Sequence, residues 1–139
     1  MTGVPRVKRR KCFVISPIGK KGTQVRRAAD AVLSEIIRAG LVPAGYSVTR
    51  ADKLSKSGRI TDAIVTELAT ADLVVADLSG FNANVMYELG IRHALNLPAV
   101  QIVPEGTKLV FDLSGIKTIF YESPASATRG NSSFGCGQS

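Results

Sequence analysis

Histidine and cysteine are scarce in this chain of 139 residues: His93 is the one histidine, and Cys12 and Cys136 are the two cysteines. Cys12 opens an apolar run and Cys136 sits in a Gly/Ser-rich tail. That spacing supplies neither a disulfide framework nor a metal site, so no metal or cofactor is expected. Long hydrophobic runs are missing too. No stretch approaches the roughly 20 apolar residues needed to cross a bilayer. The charged N-terminus carries no apolar stretch or small-residue cleavage site of a secretory leader, so a reducing cytoplasm is the expected setting. No internal repeat, serine-hydrolase elbow, zinc signature or kinase motif is present.

What is there describes one globular domain with a core: 45% hydrophobic and 21% charged residues. The formal charge of +7 is unevenly placed. Arg6, Lys8, Arg9, Arg10 and Lys11 crowd the N-terminus and leave a mildly basic body. Such an arm either holds nucleic acid through phosphate contacts or keeps the first strand solvated. The second reading is the simpler one, so nucleic acid is not the expected partner. Residues 1–10 are read as a basic arm, 11–122 as an α/β domain and 123–139 as a flexible Ser/Gly-rich tail, too poor in apolar surface to order itself.

Strand and helix patterns alternate along the domain. Lys11–Ile18 is nearly continuously apolar, as a strand covered on both faces should be. Thr23 is a plausible N-cap for a helix whose apolar positions are Val25, Ala29, Val32, Leu33, Ile36 and Ile37, with Gly40 as its stop. Tyr46–Asp52 is a shorter, more polar strand, and a loop through Ser55–Gly58 leads to a helix with Ile60, Ala63, Ile64 and Leu68 on one stripe. Leu73–Leu78 is the central strand. A helix follows from about Asn84 to Asn96, then strands at Ala99–Val103 and Lys117–Tyr121. This alternation predicts an α/β fold with helices on both faces of a mostly parallel five-stranded sheet. The expected order is the flavodoxin-like (Rossmann-like) 2-1-3-4-5. No helix pattern follows the fifth strand, which leaves a face uncovered or calls for a second subunit.

Open sheets of this kind place ligands outside the carboxyl ends of their strands. The groups delivered there are Ser16 and Gly19 from the first strand, Arg50 and Asp52 from the second, and Asp77 and Ser79 from the third. Asn84, Tyr87 and Glu88 come from the next helix, and Asp112 from a later loop. Asn84 and Glu88 are four apart and share a helix face, with Asn84 as the expected cap. The macrodipole near that helix start would favour an ionised Glu88, as a nucleophile or oxocarbenium stabiliser requires. Asp77 would orient a sugar hydroxyl or act as the second carboxylate. Two blander readings stay open: Glu88 pairs with Arg92 on a solvated face, and Asp77 merely ends a strand. Arg50 with Asp52 reads equally well as a structural ion pair. His93, five residues from Glu88, points off that face and reads as a packed helix histidine.

The segments CFVISPIG (12–19), YSVTRAD (46–52), ADLVVADLSG (71–80), NANVMYELGIRHAL (82–95) and FDLSGIKTIFY (111–121) together resemble the nucleoside 2-deoxyribosyltransferase-like proteins, which overlap TIR-like nucleotide-hydrolase and effector domains. The resemblance implies cleavage or transfer at an N-glycosidic bond of a nucleoside or nucleotide, with NAD as a possible substrate. By motif, Glu88 would be the catalytic glutamate and Asp77 would lie in the sugar pocket. Ser16, Gly19, Arg50 and Asp52 would shape the nucleotide site. Ala83 departs from the proline that relatives often carry between the two asparagines. The alternative is a nucleotide-sensing or interaction module that keeps the fold and binds without turnover.

Overall fold

The computed structural model describes residues 8–53, 60–109 and 116–124. Asp112, the Ser55–Gly58 loop and the tail from residue 125 lie outside the described residues.

Five strands, β1 (Arg10–Ile15), β2 (Tyr46–Arg50), β3 (Leu73–Asp77), β4 (Ala99–Pro104) and β5 (Lys117–Tyr121), form one all-parallel sheet in the order β2-β1-β3-β4-β5. This is the flavodoxin-like arrangement. The sheet's two faces explain the apolar runs. Alternate residues Cys12, Val14, Val48, Val75, Ile102 and Tyr121 pack with Val32 and Ile37 of the first helical segment. Phe13, Ile15, Val74, Ala76 and Val103 pack on the other side with Ile64, Leu68, Val85 and Leu89. Continuous hydrophobicity thus reflects burial on both faces.

Helix α1 (Gln24–Val32) starts where expected, with the Thr23 side chain accepting the Arg26 N–H at 3.2 Å. It does not stop at Gly40. The chain runs on through a π-helical stretch, Leu33–Arg38, and one more α turn, α2 (Ala39–Leu41), and reverses at Gly45, whose φ of +96° suits glycine. Helix α3 (Asp62–Thr70) is capped by Thr61, and α4 (Ala83–Ala94) by Asn82. The Asn82 Oδ1 accepts the N–H groups of Asn84 and Val85 at 3.0 and 3.2 Å. Asn84 therefore is not the cap expected from sequence; its backbone is what the cap satisfies. No helix follows β5 among the described residues, and Ile119 and Phe120 are 43% and 48% exposed on that edge strand. Among the described residues no helix is long and apolar enough to cross a membrane.

Candidate functional site

The chain passes from β1 into α1 on one side of the sheet and from β3 into α4 on the other, so the carboxyl ends of β1 and β3 form a switch point. A cavity of about 370 Å³ opens there. One wall is α1, contributing Gln24, Val25, Ala28, Ala29 and Val32; the other is Asp77 with Ser79, Gly80 and Asn82. Val25, read from sequence as core, is 50% exposed because it forms part of that wall.

Asp77 sits in the same layer as Val75 and Tyr121 and is 2% exposed. Its Oδ1 accepts the Ser79 N–H at 3.0 Å and the Ser79 hydroxyl at 2.6 Å. The Tyr121 hydroxyl stands 2.7 Å from Ser79 Oγ and 3.2 Å from Asp77 Oδ1. Burial raises the Asp77 pKa, against the pull of these donors. Asp77 is therefore the hub of a three-residue polar cluster at the cavity, more than a strand terminus. Tyr121 was missed from sequence, although it ends β5 as Asp77 ends β3 and shares its face.

Glu88 lies in the buried stripe of α4 with Val85, Leu89 and Arg92, in the layer opposite Asp77. It is not among the described residues lining the cavity. Its Oε2 is buried without a hydrogen-bond partner, and desolvation pushes the carboxyl up to about 7. The expectation of a carboxylate kept ionised by the helix start fails. Glu88 is more than a turn inside α4, where the dipole has faded and burial dominates. The alternative pairing with Arg92 fails as well. Arg92 is 0% exposed and donates to Leu68 O at 2.9 Å and to Pro98 O at 2.9 and 3.1 Å. Gln101, in the same layer as Glu88, likewise leaves its Oε1 without a partner.

The other expected residues fall into three groups. Arg50 and Asp52 join Arg26 and Asp30 of α1 in an ion-pair cluster. Arg50 bonds Asp52 at 2.8 and 3.0 Å and Asp30 at 2.7 Å, and Arg26 bonds Asp52 at 3.2 Å. The cluster fastens the end of β2 to α1, the structural reading left open by the sequence, while Arg50 Nη1 stays buried without a partner. Ser16 is buried beyond the end of β1 with its Oγ also unpartnered. Gly19 has φ +63°, and a Cβ there would come within 3.0 Å of Thr23 Oγ1 and Val25 Cβ, so glycine lets the loop close onto α1. Tyr87 is 63% exposed on the outer face of α4, and Asn84 is exposed beside it. Among the described residues no three metal-ligating side chains gather.

Compared with protein-family models and with curated proteins, the chain gives no match.

Proposed function

We propose that this chain cleaves or transfers an N-glycosidic bond of a nucleoside or nucleotide, in the manner of the deoxyribosyltransferase-like and TIR-like proteins it resembles. The observation that carries the reading is the Glu88 carboxyl: buried, unpartnered at Oε2, and titrating near 7. Native proteins seldom leave a buried polar atom unsatisfied, and exceptions gather at functional sites. In this reaction the ionised Glu88 oxygen forms a bond to C1′ as the C1′–N bond breaks. The base leaves with the electron pair and takes up a proton. Water or a second base then attacks C1′ and releases the carboxylate. Asp77, with Oδ1 already engaged, accepts a sugar hydroxyl at the cavity. Since Asp77 and Glu88 belong to opposite layers, the bond to be broken must reach over the end of β3 toward α4.

A second reading is binding without turnover, favoured by the placement of Glu88 away from the cavity walls. Incubation with deoxynucleosides, and separately with NAD, followed by chromatography for free base or nicotinamide, separates the two. Turnover predicts base release that vanishes in Glu88→Gln while the circular dichroism spectrum is kept. Release retained in that variant overturns the assignment of Glu88. Ligand binding without release by the native chain supports the second reading.

A further inference from the structure

Hydrogen bonds draw together the amino edge of the sheet, opposite the cavity. Arg9 Nη1 reaches Val42 O at 3.4 Å and Tyr46 O at 3.5 Å, and the Arg10 N–H donates to Gly45 O at 3.1 Å. The start of β1 therefore rests on the turn between α2 and β2. The Lys11 N–H donates to Asp72 Oδ2 at 2.7 Å, just before β3. The Val74 N–H donates to Pro98 O at 3.3 Å, which brings in the turn between α4 and β4. Lys8, Arg9, Arg10 and Lys11 are all exposed here, and so is Arg38, whose carbonyl accepts the Val42 N–H at 3.0 Å. The ion pairs among the described residues join Arg26, Arg50, Asp30 and Asp52 at the other edge, so these five cations have no carboxylate partner among them. Asp72 is the carboxylate nearest the arm; Glu35 and Glu67 lie farther back along their helices. The same turns expose aliphatic side chains: Val42 is 39%, Leu95 47% and Leu97 37% exposed. Such residues scattered singly are ordinary, but here three share one edge with five cations.

We propose that the amino edge docks on an anionic lipid bilayer, its cations against the headgroups and Val42, Leu95 and Leu97 entering the interface. Two observations select a bilayer over other anionic partners. The first is layout. The two apolar turns lead into β2 and β4, three strand spacings or about 14 Å apart across the sheet. They leave helices that pack on opposite faces of it. No single groove holds both turns, whereas a flat surface meets them together. The second is side-chain chemistry. A polynucleotide would also attract the cations, but it gains further affinity from rings that stack on its bases. Among the described residues no exposed Phe, Tyr or Trp stands at this edge. Aliphatic tips beside Lys and Arg are what an anionic bilayer interface takes up. The six residues of β1 hold the cavity about 20 Å from the lipid, so it stays open to solvent. The proposal stands independently of the reaction assigned to Glu88.

Co-sedimentation of the full chain with vesicles of equal parts phosphatidylserine and phosphatidylcholine should carry it into the pellet; vesicles of phosphatidylcholine alone should not. Each cation near such a surface is worth roughly a fivefold factor in binding, so Lys8→Gln with Arg10→Gln should weaken it by roughly 25-fold at low salt. Leu95→Gln with Leu97→Gln should weaken it by roughly tenfold and leave its salt dependence unchanged, which separates insertion from charge attraction. All four positions are exposed, so the circular dichroism spectrum should be kept. Lys20→Gln with Lys21→Gln removes the same charge at the opposite edge and should leave vesicle binding unchanged. Equal pelleting with phosphatidylcholine alone, none with the mixed vesicles, or an equal loss from the Lys20 and Lys21 pair overturns the proposal. Retention of an oligonucleotide duplex in preference to the mixed vesicles overturns it as well.

Discussion

Replacing Glu88 by glutamine should change stability by an amount that depends on pH. The Glu88 pKa stands at about 7 in the folded chain against 4.5 for an ordinary glutamate, because burial disfavours the charged form. Between those values the unfolded chain has released a proton that the folded chain retains, so stability falls as pH rises through this window and levels off above it. One pKa unit corresponds to about 1.4 kcal/mol, so a gap of this size removes about 3 kcal/mol between pH 4 and pH 8. Glutamine has nearly the same shape and never ionises. Urea unfolding of both proteins at pH 5 and pH 8 measures the effect through the denaturation midpoint. Near pH 5 the two should differ little; at pH 8 the glutamine variant should be the more stable by about 3 kcal/mol. The other titrating groups, Asp77 among them, are common to both and cancel in the comparison. Equal midpoint shifts with pH in the two proteins would refute the reasoning, because Glu88 would then be ionised in the fold at no cost. The same proton governs the proposed reaction. Base release should rise as pH passes about 7, by which point the folded chain has given up most of the stability that the neutral carboxyl gave it.

Three other changes test the structure. Arg92→Ala strips the Leu68 and Pro98 carbonyls of buried donors and should cost about 3 kcal/mol in urea unfolding. Asn82→Ala removes the cap of α4 and should cost about 1 kcal/mol, recovered largely by Asn82→Asp and not by lengthening the side chain to glutamine. Tyr121→Phe deletes one of the hydroxyls gathered at Asp77. That should raise the Asp77 pKa further, shifting its carboxyl titration in an NMR pH series upward relative to the native chain.

The sheet was legible because its strands are buried on both faces, and unbroken apolar runs such as Phe13-Val14-Ile15 announce that arrangement. The Thr23 cap was legible because its chemistry is local. Asn82 and Asn84 are two caps of equal propensity two residues apart, and only backbone geometry decides between them: Asn82 has the non-helical φ of −55° and ψ of 129° that a cap requires. Gly40 misled for a related reason. Glycine can stop a helix but need not, and here the last turn, Ala39–Leu41, runs one residue past it. The site was legible to the level of Asp77 and its neighbours in sequence. Spacing does not report desolvation, so the protonation of Glu88 was out of reach. The true partners of Arg92, two backbone carbonyls, leave no mark in side-chain order.

Asp77 reaches its cavity already immobilised. Three donor contacts converge on a single carboxylate oxygen, two of them from Ser79 immediately downstream and one from the far strand β5. The torsion angles of that carboxylate are thereby fixed before any ligand arrives. On the proposed reading, an incoming hydroxyl meets an acceptor with little rotamer freedom left to lose, so the ordering penalty of association falls on the ligand. Recognition at this end of the cavity should accordingly discriminate by the position of a hydroxyl on the ligand, since the protein side cannot turn to follow it.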